Sequence, residues 1–168
     1  MNKTLKRFII IAMLTSMAMV LSILESFIPM VIPGVKIGLA NVIILIMLYE
    51  FKIREAFLVD LFRIFLAALL RGTLLSPTFL MSLTGGMCSF FVMMLLSRFK
   101  NISPIFVGVF GSVTHVFGQI IMAIILIERV EIIYYLPFIA LLSILTGILS
   151  GLATSVYLKK SITKRFID

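Results

Sequence analysis

Asp60 and Arg63 stand three residues apart inside an apolar run, FLVDLFRIFLAALLRG, so a carboxylate and a guanidinium share one helix face and can pair. His115 and Gln119 stand four apart in another apolar run, again on one face. Glu25, Lys36, Asn41, Arg71 and Thr73 lie at or near the ends of further runs. Alternation of the runs through a bilayer brings these groups, apart from Asp60, toward one side of it. Their chemistry is charge-assisted hydrogen bonding to a small molecule in an otherwise apolar cavity. The basic groups Lys36, Arg63 and Arg71 face a single carboxylate there, Glu25, which favours an anionic or partly anionic ligand. The plainer alternative is one structural ion pair, rim charges in which Glu25 pairs with Lys36 or Arg71, and two polar side chains that only bond neighbouring helices.

Much chemistry is excluded by what the chain lacks. Its aspartates are Asp60 and Asp168, its histidine is His115 and its cysteine is Cys88. One histidine and one cysteine build no zinc cluster and no internal disulfide. No GxxxxGK[ST] motif is present, so nucleotide hydrolysis by the P-loop route is excluded. A serine triad is not arguable, because Asp60 lies toward the opposite side from His115. Two isolated aspartates cannot hold the magnesium that prenyl chain-elongating enzymes use to bind diphosphate. No catalytic residue, metal ligand or cofactor is therefore assigned.

The elements that must position these groups are membrane helices. The 168 residues are 62% hydrophobic and carry a net charge of +8, with a mean hydropathy of +1.25. A soluble domain of that composition would have too little polar surface to cover itself. The runs are continuous rather than alternating, which sets aside a β-barrel. Expected helices cover Phe8–Ile28, Ile37–Tyr49, Ala56–Leu70, Phe79–Ser97, Pro104–Ile127 and Ile132–Leu158, in one transmembrane domain over 1–168. The second is short for a hydrocarbon core of about 30 Å. The first is read as a retained helix rather than a cleaved leader.

Most basic residues, from Lys3, Lys6 and Arg7 through Lys52, Arg54, Arg98 and Lys100 to Lys159, Lys160, Lys164 and Arg165, fall at the two ends and in alternate loops. That distribution follows the positive-inside rule and places both termini in the cytoplasm. It accounts for the positive charge without nucleic acid. The expectation is an all-α, multi-pass protein of the plasma membrane with six transmembrane helices. Small residues at Ala12 and Ser16, four apart on the first helix, offer a close-packing face.

Three segments, LESFIPMVIPGVKIGLANV (Leu24 to Val42), RGTLLSPTFLMSLTGG (Arg71 to Gly86) and GSVTHVFGQ (Gly111 to Gln119), resemble the Gx transporter family, often labelled heptaprenyl diphosphate synthase component I. The likeness extends over nearly the whole chain. That family is similar to the substrate-binding S components of energy-coupling factor (ECF) transporters, six-helix proteins that dock on a transmembrane coupling protein driven by two ATPases. The resemblance implies an S-component-like bundle with an outward-facing site capped by the loop Pro29 to Lys36. It implies docking through Ala12 and Ser16, where the S-component pattern is Ala-xxx-Ala. The implied activity is uptake of a small anionic or amphipathic metabolite, such as an isoprenoid or quinone precursor or a vitamin-like molecule. The alternative is a non-catalytic membrane component associated with a prenyl diphosphate synthase, and a third reading is an assembly protein with no ligand.

Overall fold

The computed structural model describes residues 3–28, 35–99 and 101–160, and these form six α-helices and one 3-10 turn. The helices are α1 (Lys3–Glu25), α2 (Asn41–Glu50), α3 (Ile53–Leu70), α4 (Pro77–Ser97), α5 (Pro104–Ile127) and α6 (Leu136–Lys160). Four are long and apolar enough to cross a membrane: α1, α4, α5, and α6 together with the 3-10 turn Val130–Tyr135 that precedes it. The outward faces are apolar, with Phe62, Phe91, Phe117, Leu141 and Leu149 all exposed, as expected where lipid rather than water is the solvent.

Local chemistry explains where the helices differ from the sequence expectation. α1 ends at Glu25 rather than Ile28, because Ser26, Phe27 and Ile28 tighten into bonds to the third residue back. Ser76 caps α4 by accepting from Phe79 N–H, with Pro77 in the first turn. Ser103 and Pro104 repeat that arrangement at α5, which spans the expected residues. The last segment does not run as one α-helix from Ile132. Val130–Tyr135 winds as 3-10, and α6 starts at Leu136 so that Pro137 falls in its first turn. A helix begun at Ile132 would carry that proline in its interior, against the carbonyl of Ile133.

The short helix α2 is the hub. It touches α1, α3, α4, α5 and α6, and Ile44, Leu45 and Met47 on it are fully buried. Its 10 residues rise about 15 Å, half a hydrocarbon core. A helix apolar on every side is stable only when other helices surround it. Around it, α5 packs along both α4 and α6, and α1 packs on α3. The α5–α6 contact is backbone on backbone: a Cβ at Gly147 would stand 2.5 Å from Val109 Cα, and one at Gly151 would meet Ile105 Cα. At the opposite end of the bundle from the polar groups described next, Arg7 pairs with Glu55 at 2.7 Å and joins the starts of α1 and α3.

Candidate functional site

α2 begins at Asn41 rather than Ile37, and the reason organises the site. Residues 35–38 carry no regular secondary structure, and Gly38 has φ +90°, a conformation that a side-chain-bearing residue rarely adopts. An irregular segment inside an apolar bundle must find partners for its backbone polar groups. Three helices supply them. Gln119 Oε1 on α5 accepts from Lys36 N–H at 2.7 Å. Glu25 Oε1 on α1 accepts from Gly38 N–H and, at 3.0 Å, from Leu39 N–H. Thr146 Oγ1 on α6 donates to the Ile37 carbonyl at 2.7 Å. Glu25 therefore holds backbone rather than pairing with Lys36 or Arg71.

The Lys36 side chain turns inward. It is buried, its ammonium donates to Ser22 Oγ on α1 at 3.0 Å, and no carboxylate of the described residues forms an ion pair with it. Deeper in the bundle the expected pair is present: Arg63 Nε donates to Asp60 Oδ1 at 2.6 Å, with both side chains buried. Arg63 Nη2 also donates to Asn41 Oδ1 at 3.2 Å, and Asn41 Nδ2 donates to Ser89 Oγ on α4 at 3.0 Å. That chain ties α3, α2 and α4 together.

Gly85 and Gly86 on α4 bring the two halves of the polar interior close. A Cβ on Gly86 would lie 3.6 Å from Asp60 Oδ2, and one on Gly85 would lie 2.6 Å from Gln119 Cγ and 2.7 Å from the His115 carbonyl. On α5, Ser112, His115 and Gln119 line one face and all three are buried. Ser112 Oγ and Gln119 Nε2 have no hydrogen-bond partner among the described residues, and neither ring nitrogen of His115 makes a well-formed bond, although the Gly85 backbone lies within reach of the ring; Tyr49 OH on α2 and Asp60 Oδ2 on α3 are also unpaired. A buried donor or acceptor left unpaired costs about 1–3 kcal/mol, so this concentration on one face is the feature of the interior that packing alone does not explain.

A small cleft opens between the last turn of α3 and the first turn of α4. Its polar lining is Lys36, Arg71, Thr73, Thr78 and Ser82. Ile64, Ala67, Ala68 and Phe79 complete the wall, and the free space is about 10 Å³, room for about one water. That space is too small for a metabolite.

Of the residues singled out from sequence, Glu25, Lys36, Asn41, Arg63, His115 and Gln119 are all buried. Thr73 is half-buried, with its hydroxyl 3.4 Å from the Ala68 carbonyl, and Arg71 is exposed at the cleft mouth. Lys36, Arg71 and Thr73 share the cleft, whereas Asn41 and Arg63 belong to the ion-pair network. His115 does not line the cleft, and Gln119 reaches the cleft residue Lys36 only through its backbone. Ala12 and Ser16 are both exposed on α1, and Ser16 Oγ donates to its own helix at the Ala12 carbonyl. Most of the expected capping loop, residues 29–34, lies outside the described residues, while Val35 and Lys36 at its end are buried. Sequence reasoning did not find Ser82, Ser89, Ser112 or Thr146, because lone hydroxyls in apolar helices commonly bond their own backbone and carry no distinguishing signal. Among the described residues no group of three or more His, Cys, Asp or Glu could hold a metal ion.

A family model described as heptaprenyl diphosphate synthase component I matches residues 14–157. Comparisons with curated proteins and with solved structures give no match.

Proposed function

The chain belongs to the heptaprenyl diphosphate synthase component I family, and from that premise we propose that it is a membrane-embedded binding subunit for a small anionic or amphipathic metabolite. The reading takes all six helices as membrane-embedded, with both termini in the cytoplasm and the polar end of the bundle facing outward. Lys36, Arg63, Arg71 and Thr73 supply charge and donors, Asn41 holds Arg63, and Glu25 and Gln119 hold the segment that carries Lys36. His115 lies in the interior behind the cleft, where it could meet a group only after the cleft deepens. The observation that carries the reading is the set of unpaired polar atoms on Ser112, His115 and Gln119 beside two buried cations. Buried polar side-chain atoms in a purely structural core are mostly paired.

Such a subunit has no energy source of its own, so uptake would be driven by ATPases through a coupling protein docked on the exposed Ala12–Ser16 face of α1. The family's description favours a second reading, a non-catalytic membrane component that works beside a prenyl diphosphate synthase. Both readings share the binding site and differ in the partner. The site is tested with the Arg63→Gln/Arg71→Gln double variant, made together with Asp60→Asn so that no buried carboxylate is left unpaired. Ligand binding, read by native mass spectrometry, is expected to disappear. Full occupancy in a stably folded variant would remove the proposed site.

A further inference from the structure

We infer that the α3–α4 cleft holds a single monovalent anion of halide size, chloride in a cell, as the counter-ion of Lys36 and Arg71. The inference goes beyond the binding-subunit reading and does not depend on it, because it follows from charge and space alone. Lys36 and Arg71 line the same cleft, and neither forms an ion pair among the described residues. Lys36 is only 6% exposed, and its ammonium spends one of three protons on Ser22. Arg63 and Arg71 lie near enough to repel that ammonium, and Glu25 near enough to attract it. Arg63 is neutralised by Asp60, and Glu25 turns an oxygen to the Gly38 and Leu39 N–H groups. Three cations therefore share two carboxylates, and the group is one negative charge short. A buried charge without a partner is costly in an apolar bundle.

Space and donors decide which anion answers that deficit. The cleft has about 10 Å³ of free space, room for about one water. A halide ion is little larger than a water, whereas carboxylates and phosphates carry several heavy atoms and do not fit. A phosphate monoester would also overshoot a deficit of one charge. The hydroxyls of the cleft are already committed: Thr73 bonds the Ala68 carbonyl, Ser82 the Thr78 carbonyl, and Thr78 shares a bond with Ser76. The free donors are then the N–H groups of Lys36 and Arg71. A halide needs nothing more directional, because a sphere of charge accepts from any side. The apolar wall of Ile64, Ala67, Ala68 and Phe79 lowers the dielectric around the ion, which strengthens its attraction to both cations. Loss of a proton from Lys36 is the other way to remove the excess charge, and it needs no anion.

The test follows thermal unfolding of the full chain in one fixed micelle, at constant ionic strength, while chloride replaces gluconate, an anion too large for the cleft. The midpoint is expected to rise by roughly 3–5 °C for each tenfold increase in chloride above its dissociation constant, and bromide should act in the same way. Chloride NMR of the same samples is expected to show a line broadened by the wild type. Lys36→Met removes the excess charge and should abolish both effects. Arg71→Gln, at an exposed position, supplies the comparison if Lys36→Met does not fold, and should raise the chloride needed by about two- to fivefold. A wild-type midpoint and line that ignore chloride overturn the inference and leave Lys36 as a neutral amine. Effects that persist unchanged in the variants place any bound chloride elsewhere and overturn it too. Neither outcome decides the metabolite site, which the Asp60→Asn/Arg63→Gln/Arg71→Gln variant tests separately.

Discussion

Arg63→Met is the most informative single change. It leaves the Asp60 carboxylate buried at 1% exposure and takes the donor from Asn41 Oδ1. Removing one partner of a buried pair costs about 3–5 kcal/mol, because the remaining charge is desolvated without compensation. At about 2–4 °C per kcal/mol for a chain of this length, the thermal midpoint should fall by roughly 6–20 °C. Asp60→Asn alone leaves a buried guanidinium that still bonds Asn41, so its loss should be smaller. The double variant Asp60→Asn/Arg63→Met removes both charges of the pair and should recover most of the loss, giving a coupling of at least about 2 kcal/mol. The assay is unfolding of purified protein in one fixed mixed micelle, followed by circular dichroism, for the four members of the cycle. Singles that lose less than about 1 kcal/mol, or a double that loses the sum of the two, would refute the argument that the pair exists to neutralise charge inside the bundle.

Three further expectations follow from other contacts. Glu25→Ala leaves the Gly38 and Leu39 N–H groups unpaired and should cost roughly 2–4 kcal/mol, whereas Glu25→Gln keeps an acceptor oxygen and should lose much less; unfolding midpoints compare them. Gly147→Val drives a side chain into the α5 backbone and should cost about 1–3 kcal/mol or more, while the lipid-facing Leu149→Val should stay within about 0.5 kcal/mol in the same assay. Ala12→Leu/Ser16→Leu changes only exposed positions, so the unfolding midpoint should hold while partner proteins are lost on affinity purification; retention of every partner would move docking to another face.

The sequence made the helical architecture legible because its apolar runs are long and their breakers are prolines and glycines. It also made the Asp60–Arg63 pair legible, since a three-residue spacing on a helix leaves the two side chains little else to meet. The role of Glu25 was not legible. Its partners are backbone N–H groups 13 and 14 residues away, on an irregular segment that is itself held by Gln119 and Thr146. Periodicity carries no trace of such a non-local arrangement, and it gave α2 four residues that belong to this segment. The same limit applied to Lys36. Position alone made it a rim charge, yet the structure buries it against Ser22, because the chain before α2 folds back into the bundle instead of continuing as helix. The α6 boundary was legible in principle, since Pro137 marks where an α-helix can begin.

Native mass spectrometry of the protein, released gently from its source membrane, tests the central claim most directly. The account predicts a small anionic molecule bound to the wild type, absent from the Asp60→Asn/Arg63→Gln/Arg71→Gln variant, and retained by Ala12→Leu/Ser16→Leu. A wild-type protein that is empty in every preparation, with the triple variant indistinguishable from it in mass and partners, would contradict the account and leave the buried polar groups as structural links between helices.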